Sequence, residues 1–451
     1  MSVLCCLFVT LGSFLFGYDS GIISSTLEQS AFVDRFNHPS DAVTGGIVAA
    51  YNGGAILGAI LVSYLSDPWG RRSVMFIGGI LASLGAALQA GANTVAMVIA
   101  GRWIAGLAVG AMSSIIPVYC SEVSPSRIRG FLASMQQWMI GLGIVVAQWV
   151  GYGCSLHQAG DFTWRFPLAL QAVPSVILVA GVWFLPESPR WLMEKGQFDR
   201  GREVLVCLHL KRDRSNIDLV DMEFIEIRDS IAEEQRTAVP SWRQLLCSPA
   251  TWRRRVLLAC GLQAFTQCSG TNVIQNYNPG LYKSLGLEDP TPLMIQGIWG
   301  ALAQFWNTVL MLFIDRVPRR QLLIPSLLGM GVTMGVEAAL AQANNGFRDP
   351  SANNPNAVRA AIAMFFVFSF FFTSLGLISW IYHVPPIARS HIGFNYFYCF
   401  FAFNWVGALV VWAFYTETGV QSLEEVEKVF TSPSPNRPLV GERKDPLPSR
   451  W

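Results

Sequence analysis

The sequence predicts an all-α protein that crosses a membrane many times. Three observations carry that prediction. Apolar residues fill 52% of the 451 positions and charged residues only 14%, against roughly a quarter charged in a soluble domain. Windows of roughly 19 residues are apolar enough to span a bilayer at eleven places along the chain. Lys and Arg gather in alternate connections between those windows. Too little polar surface remains for a soluble enzyme, a nucleic-acid binder or a disordered scaffold. A net charge of +2 creates no strong global field for an acidic partner.

Each element follows from its composition. Residues 1–17 are apolar without a basic leader or an A-x-A-like site, so they open a first span (2–27) rather than a signal peptide. Apolar windows then predict spans over 43–64, 72–92, 95–119, 130–153 and 165–185. Together these form a six-helix bundle, residues 1–185. A polar stretch over 186–253 follows, in which Phe198–Leu210 and Leu219–Glu234 show helical apolar spacing among many charges. Spans over 255–282, 292–314, 320–341, 358–383 and 392–415 then form a second, incomplete bundle of five, residues 254–415. The tail 416–451 is polar, Pro-rich and expected to be partly disordered.

Segment 186–255 holds 13 Lys and Arg. The connections at 65–73, 120–130 and 315–321 add Arg71, Arg72, Arg127, Arg129, Arg316, Arg319 and Arg320. The alternate connections carry Arg35, Arg165, Lys283, Arg348 and Arg359. This asymmetry puts the central segment in the cytoplasm. Six spans back, the N-terminus is cytoplasmic as well. Five spans forward, the tail falls outside although it carries five Lys and Arg of its own, and this odd count is the first sign of a missing span.

The nine cysteines are scattered without metal-ligand spacing and read as small buried hydrophobes. There is no phosphate-binding loop and no nucleophile–base pairing. Enzyme activity, ATP-driven transport, a cofactor and a metal centre are therefore not expected.

An internal repeat points further. Asp67-Pro-Trp-Gly-Arg-Arg72 follows the second span, and Asp315-Arg-Val-Pro-Arg-Arg320 follows the eighth, 248 residues later. Two parallel halves around a midplane cavity are a transporter architecture. The first of these loops resembles the D-x-x-G-R-R loop of the major facilitator superfamily. Gly101-Arg-Trp103 with Pro117-Val-Tyr-Cys-Ser-Glu122-Val-Ser-Pro-Ser-Arg-Ile-Arg129-Gly is similar to the fourth-helix signature of its sugar porter family, and Pro186-Glu-Ser-Pro-Arg190-Trp to the sixth. Phe16-Gly-Tyr-Asp19 resembles the first helix and Gln267-Cys-Ser-Gly270-Thr-Asn272 the seventh. The set covers about residues 10–430, with a flavour similar to fungal sugar transporters.

The resemblance implies a major facilitator fold and locates the missing span. Trp380-Ile-Tyr382-His-Val384 begins the family's tenth-helix signature, but Pro385-Pro386 and the residues to Gly393 resemble the loop before its twelfth helix, and Phe394–Tyr415 resembles that helix. The eleventh helix is thus expected to be absent between Val384 and Pro385. Reading Asn404-Trp405 as the eleventh-helix pair fails, because a degraded tail signature follows at once.

A neutral sugar needs amides that donate and accept, and an aromatic face. By resemblance Gln137, Gln267, Asn272, Trp380 and Phe16 would bind it; each amide taken alone also reads as helix–helix glue. Thr266, Asn276 and Ala303 depart from the family pattern and imply weaker affinity or altered specificity. Asp19 is a carboxylate inside a span, a functional hypothesis by default, with Arg102 as its partner. The resemblance implies proton coupling through this pair, while a permanent ion pair joining two helices remains the alternative. Asp67, Arg71, Arg72, Glu122, Arg129, Glu187 and Arg190 would form a cytoplasmic gate in the first half, with Asp315, Arg319 and Arg320 its second-half remainder, where Pro318 replaces Gly. Simple positive-inside anchoring is the plainer reading of these charges.

The chain is thus expected to be a monomeric plasma-membrane protein. Its expected partners are a small neutral sugar or polyol, a proton and the lipid bilayer, with no nucleic acid. The expected function is secondary transport by alternating access; the alternative is a transport-deficient relative, sensor-like or from a truncated or mis-spliced gene.

Overall fold

The computed structural model describes residues 1–124, 129–156, 160–209, 217–237, 269–288, 290–313, 319–343 and 355–376. Every regular element among them is helical. The first span is two segments, α1 (Ser2–Val9) and α2 (Leu11–Leu27), meeting at Thr10, whose hydroxyl donates to the Leu7 carbonyl at 2.8 Å. After the short α3 (Ser30–Arg35), α4 runs from Asp41 to Ala90 and contains both the second and third spans. Pro68 and Gly70 break it, with Gly70 at φ 82° and ψ 168°. That backbone is open to glycine and strained for other residues, so the Asp67–Arg72 loop reverses the chain in the fewest residues.

α5 (Val95–Val123) starts at Thr94, whose hydroxyl accepts from Met97 N at 3.3 Å. α6 (Arg129–Ser155) follows. α7 (Phe162–Leu170), α8 (Ala172–Gly181) and a 3₁₀ turn over Val182–Phe184 make up the sixth span. The polar centre folds as α9 (Pro189–Glu194), α10 (Phe198–His209) and α11 (Ile217–Thr237), within a few residues of the two helices the charge pattern predicts. The second half supplies α12 (Thr271–Ser284), α13 (Thr291–Phe313), α14 (Arg319–Ala343) and α15 (Pro355–Gly376).

Among the described residues, eight helices are long and apolar enough to cross a membrane: six in the first half, then Gln321–Ala343 and Pro355–Thr373. α13 fills the predicted span 292–314, but Gln296, Gln304 and Asn307 lower its hydropathy. The predicted span 255–282 is described only from residue 269. The predicted span 392–415, the junction of Val384 with Pro385 and the tail 416–451 lie outside the described residues.

The helices pack as membrane helices do, small residues inward and large ones to lipid. Gly54 and Gly58 of α4 lie against the backbone of Trp103 and Leu107, and Gly106 and Gly110 of α5 lie reciprocally against Tyr51 and Ala55. A Cβ at any of the four would strike a carbonyl. Ile56, Leu57, Ile60 and Leu61 on the other side of α4 stay exposed as a lipid face. Gly17 on α2 and Gly143 on α6 make the same reciprocal approach to Ile140 and to Phe14–Tyr18. The second half has its own core, built around Leu327, Met330, Met334, Phe365 and Phe368. The halves meet where α6 packs on α13 and α2 on α12.

Candidate functional site

The glycine seam between α4 and α5 brings Tyr51 over Arg102, and α2 carries Asp19 to the same point. Arg102 Nη1 donates to Asp19 Oδ1 at 2.7 Å and to the Asp19 carbonyl at 3.1 Å. Both side chains are essentially without solvent exposure. The guanidinium carbon sits 4.2 Å from the centre of the Tyr51 ring, a cation–π contact that strengthens when desolvated. Only one oxygen of the carboxylate is used, and among the described residues Asp19 Oδ2 and Arg102 Nε have no hydrogen-bond partner. A bidentate pair would use both oxygens; this one leaves an oxygen available to a proton.

One helix away, the halves meet on amides. Gln304 Nε2 donates to the Trp138 carbonyl at 3.0 Å, and Asn307 Nδ2 to the Gln137 carbonyl at 3.4 Å and to Gln304 Oε1 at 3.3 Å. Trp138 Nε1 donates to Thr308 Oγ1 at 2.9 Å. Between α2 and α13, Gln296 Nε2 donates to Ser24 Oγ at 2.8 Å. Gly300 lies against Gln148, whose amide has no hydrogen-bond partner. At the rim, Lys283 Nζ reaches Glu28 Oε2 at 3.3 Å and donates to the Glu28 carbonyl at 3.2 Å.

The opposite end holds the charge cluster the motifs predict. Gly70 lets Glu187 approach the loop, where a Cβ would come within 2.7 Å of Glu187 Oε2. Glu187 accepts from Arg71 N at 3.1 Å and Arg72 N at 3.4 Å. Arg71 forks onto Glu122 through Nε at 3.1 Å and Nη2 at 2.9 Å, and reaches Asp67 at 3.6 Å. Arg72 donates to the Trp183 carbonyl at 2.5 Å and lies over the Trp183 ring. Ser188 caps α9 by accepting from Trp191 N, and Trp191 Nε1 donates to the Asp67 carbonyl at 2.8 Å. Tyr119 donates to the Pro186 carbonyl at 2.8 Å. Burial pushes the Glu187 carboxyl above the ordinary 4.5, against three backbone donors, Ser188, Arg72 and Arg71, and the Arg72 charge, which pull it down. Arg190 pairs with Glu194 at 3.3 Å on its own helix, and Glu194 in turn interacts with Arg71 and Glu122 of the cluster.

The structure thus joins Asp19 with Arg102, and joins Asp67, Arg71, Arg72, Glu122 and Glu187. Phe16 stacks on Tyr51, ring centres 6.4 Å apart, which places it beside the ion pair. Gln137 lies on α6 at the contact with Asn307. The backbone of Asn272 opens α12 and those of Arg129, Arg319 and Arg320 open α6 and α14; their side chains lie outside the description, as do Gln267, Trp380 and Asp315 altogether. Sequence reasoning missed Tyr51, Gln304, Asn307 and the Glu28–Lys283 pair. Two amides three apart within a predicted span are a visible signal for Gln304 and Asn307. Tyr51 has none, because only the seam geometry sets it under Arg102.

Residues 5–385 match the family described as "Sugar (and other) transporter". The MFS-type transporter criB of Aspergillus cristatus is 34% identical over 440 residues, 94% of this chain and 92% of that protein. High-affinity glucose transporter 1 of Candida albicans is 28% identical over 426 residues, 92% of this chain and 77% of that one. Among solved structures, the proton:xylose symporter XylE bound to 6-bromo-6-deoxy-D-glucose superposes with a TM-score of 0.75 at 24% identity, covering 95% of this chain and 98% of that one. A partially occluded inward-open form of XylE from E. coli superposes at 0.68 and 22% identity, covering 92% and 100%. These relatives are transporters, and the structural likeness establishes the major facilitator fold. The chain belongs to the sugar (and other) transporter family, the sugar porters of the major facilitator superfamily, and is an integral membrane protein.

Proposed function

We propose that the protein is a secondary active transporter that moves a small neutral sugar or polyol across the plasma membrane by alternating access, driven by protons. In this reading residues 1–185 and 254–415 are the two moving bundles, 186–253 is a cytoplasmic linker, and 416–451 is a polar tail. The observation that carries the coupling is the buried Asp19–Arg102 pair with Asp19 Oδ2 unpartnered. A proton on that oxygen weakens the hold of Arg102, and the guanidinium keeps the Tyr51 face as a second partner. Helices α2 and α5 are then free to shift, which links protonation to the bundle that carries Phe16. The polar seam of Gln137, Gln304 and Asn307 gives the neutral, hydroxyl-rich substrate class its support, with Gln267, Asn272 and Trp380 as further ligands. Relatives named as glucose transporters and a xylose symporter lend the same direction. Asp67, Arg71, Arg72, Glu122, Arg129, Glu187 and Arg190 act as the cytoplasmic gate, with Asp315, Arg319 and Arg320 on the other half.

The test uses the protein reconstituted in vesicles with a panel of radiolabelled hexoses, pentoses, disaccharides and polyols. Asp19→Asn is expected to abolish proton-driven accumulation while sugar exchange continues, because the Asn carbonyl still accepts from Arg102. Unchanged pH dependence in that variant would make the pair a static link between α2 and α5 and end the coupling proposal.

A further inference from the structure

Asp19 is not the sole carboxylate buried within a span. Glu337 lies on α14, two turns before its outer end, with no solvent exposure. Neither Glu337 Oε1 nor Oε2 has a hydrogen-bond partner among the described residues. Glu337 lies on the helix that lines the apolar core of the second half, where its neighbours in sequence Met334, Ala338 and Ala341 are buried. Tyr282 on α12 lies near enough to interact with the carboxyl group, and its ring meets Phe365 edge-on at 5.9 Å. Asn278 sits one helical turn before Tyr282. The Tyr282 hydroxyl and the Asn278 amide are also buried, and they lie close enough to interact with each other.

No described cation is available to balance the charge. On α12, Lys283 is engaged with Glu28 at the rim. On α15, the packed neighbour of α14, Arg359 is exposed. Helix α13 carries no titratable residue, and Arg319 and Arg320 stand at the opposite end of α14. An ionised carboxylate with neither a hydrogen bond nor a counter-ion is among the costliest groups a membrane interior can hold. A neutral acid in the same place costs far less.

We propose that Glu337 is a proton-binding site of the second half, occupied in this conformation, with Tyr282 and Asn278 as the donors that hydrogen-bond its carboxylate once α12 and α14 have moved and the proton has left to water. The site is separate from Asp19 and Arg102, which belong to the first half, and it stands whether or not that pair couples transport. Its position near the outer ends of α12 and α14 makes the outer medium the source of the proton. A bound monovalent cation is the competing occupant of such an oxygen set.

Infrared spectroscopy of the reconstituted full chain decides the matter. At neutral pH the wild type is expected to show a carboxylic-acid carbonyl band that shifts when glutamate is labelled with carbon-13. The band should vanish in E337Q and persist in D19N. If E337Q does not fold, the label-sensitive band in the wild type, retained in E187Q and E194Q, carries the test. An E337Q spectrum identical to that of the wild type overturns the proposal, as does the absence of any label-sensitive acid band. A sodium-dependent carboxylate band lost in E337Q also overturns it, in favour of the cation.

Discussion

At Asp19 and Arg102 the deciding quantity is the cost of a lone buried charge. A buried ion pair offsets desolvation only while both members are present. Arg102→Leu is therefore expected to lower stability by about 3–5 kcal/mol, by leaving Asp19 uncompensated. Asp19→Leu combined with Arg102→Leu should recover most of that loss, read as thermal midpoints of the purified protein. Glu187 poses a milder problem with a definite sign. Burial holds its carboxyl above the ordinary 4.5, so the native state takes up this proton more readily than the unfolded chain. Acidification from neutrality, through the raised native value towards 4.5, should add stability from this group, and that increment fades as pH rises through the native value. E187Q should lack this pH-dependent component. A thermal midpoint that shifts with pH identically in both proteins would refute it.

At the scale of the element, close approach governs. The reciprocal glycines of α4 and α5 place backbone on backbone, the arrangement by which membrane helices gain dispersion contacts that lipid does not match. Gly106→Leu must force α5 away from Tyr51, and with it the aromatic face from Arg102. We expect a loss of about 1–3 kcal/mol from overpacking together with loss of transport. Gly53 on the same arm of α4, where an added Cβ meets nothing, should accept alanine with neither effect. Equal sensitivity at the two positions would show that helix propensity, not the seam, sets the cost. Gly70 is a different case, since both its positive φ and the nearby Glu187 oxygen exclude a side chain.

Over the whole molecule, the Glu28–Lys283 pair and the Gln296–Ser24 bond join the two halves at one end. In the proposed transport cycle that end faces outward, and outward opening must break both. Lys283→Gln should raise the reactivity of a cysteine placed at Ser24 towards an impermeant thiol reagent added outside. The exchanged pair, Glu28→Lys with Lys283→Glu, should restore protection. Half-exposed pairs of this kind contribute little to stability, so reactivity is the sensitive readout and the thermal midpoint should stay nearly unchanged.

Much of this was legible in order of residues. The apolar windows specify membrane helices, because bilayer thickness acts on local composition, and the repeat of Asp67–Arg72 points towards a transporter architecture. The charge cluster was legible in part: Glu122, Glu187 and the Arg71–Arg72 pair, carried by separate motifs, lie together. Glu337 satisfied the same in-span criterion as Asp19, but its separation from every described cation is a three-dimensional fact. Tyr51 beneath Arg102, the amides of α13 on the carbonyls of α6, and Lys283 on Glu28 were fixed only by tertiary structure. Sequence records which residues a helix carries; which of them face one another depends on crossing geometry, and here glycine contacts between distant segments set that geometry.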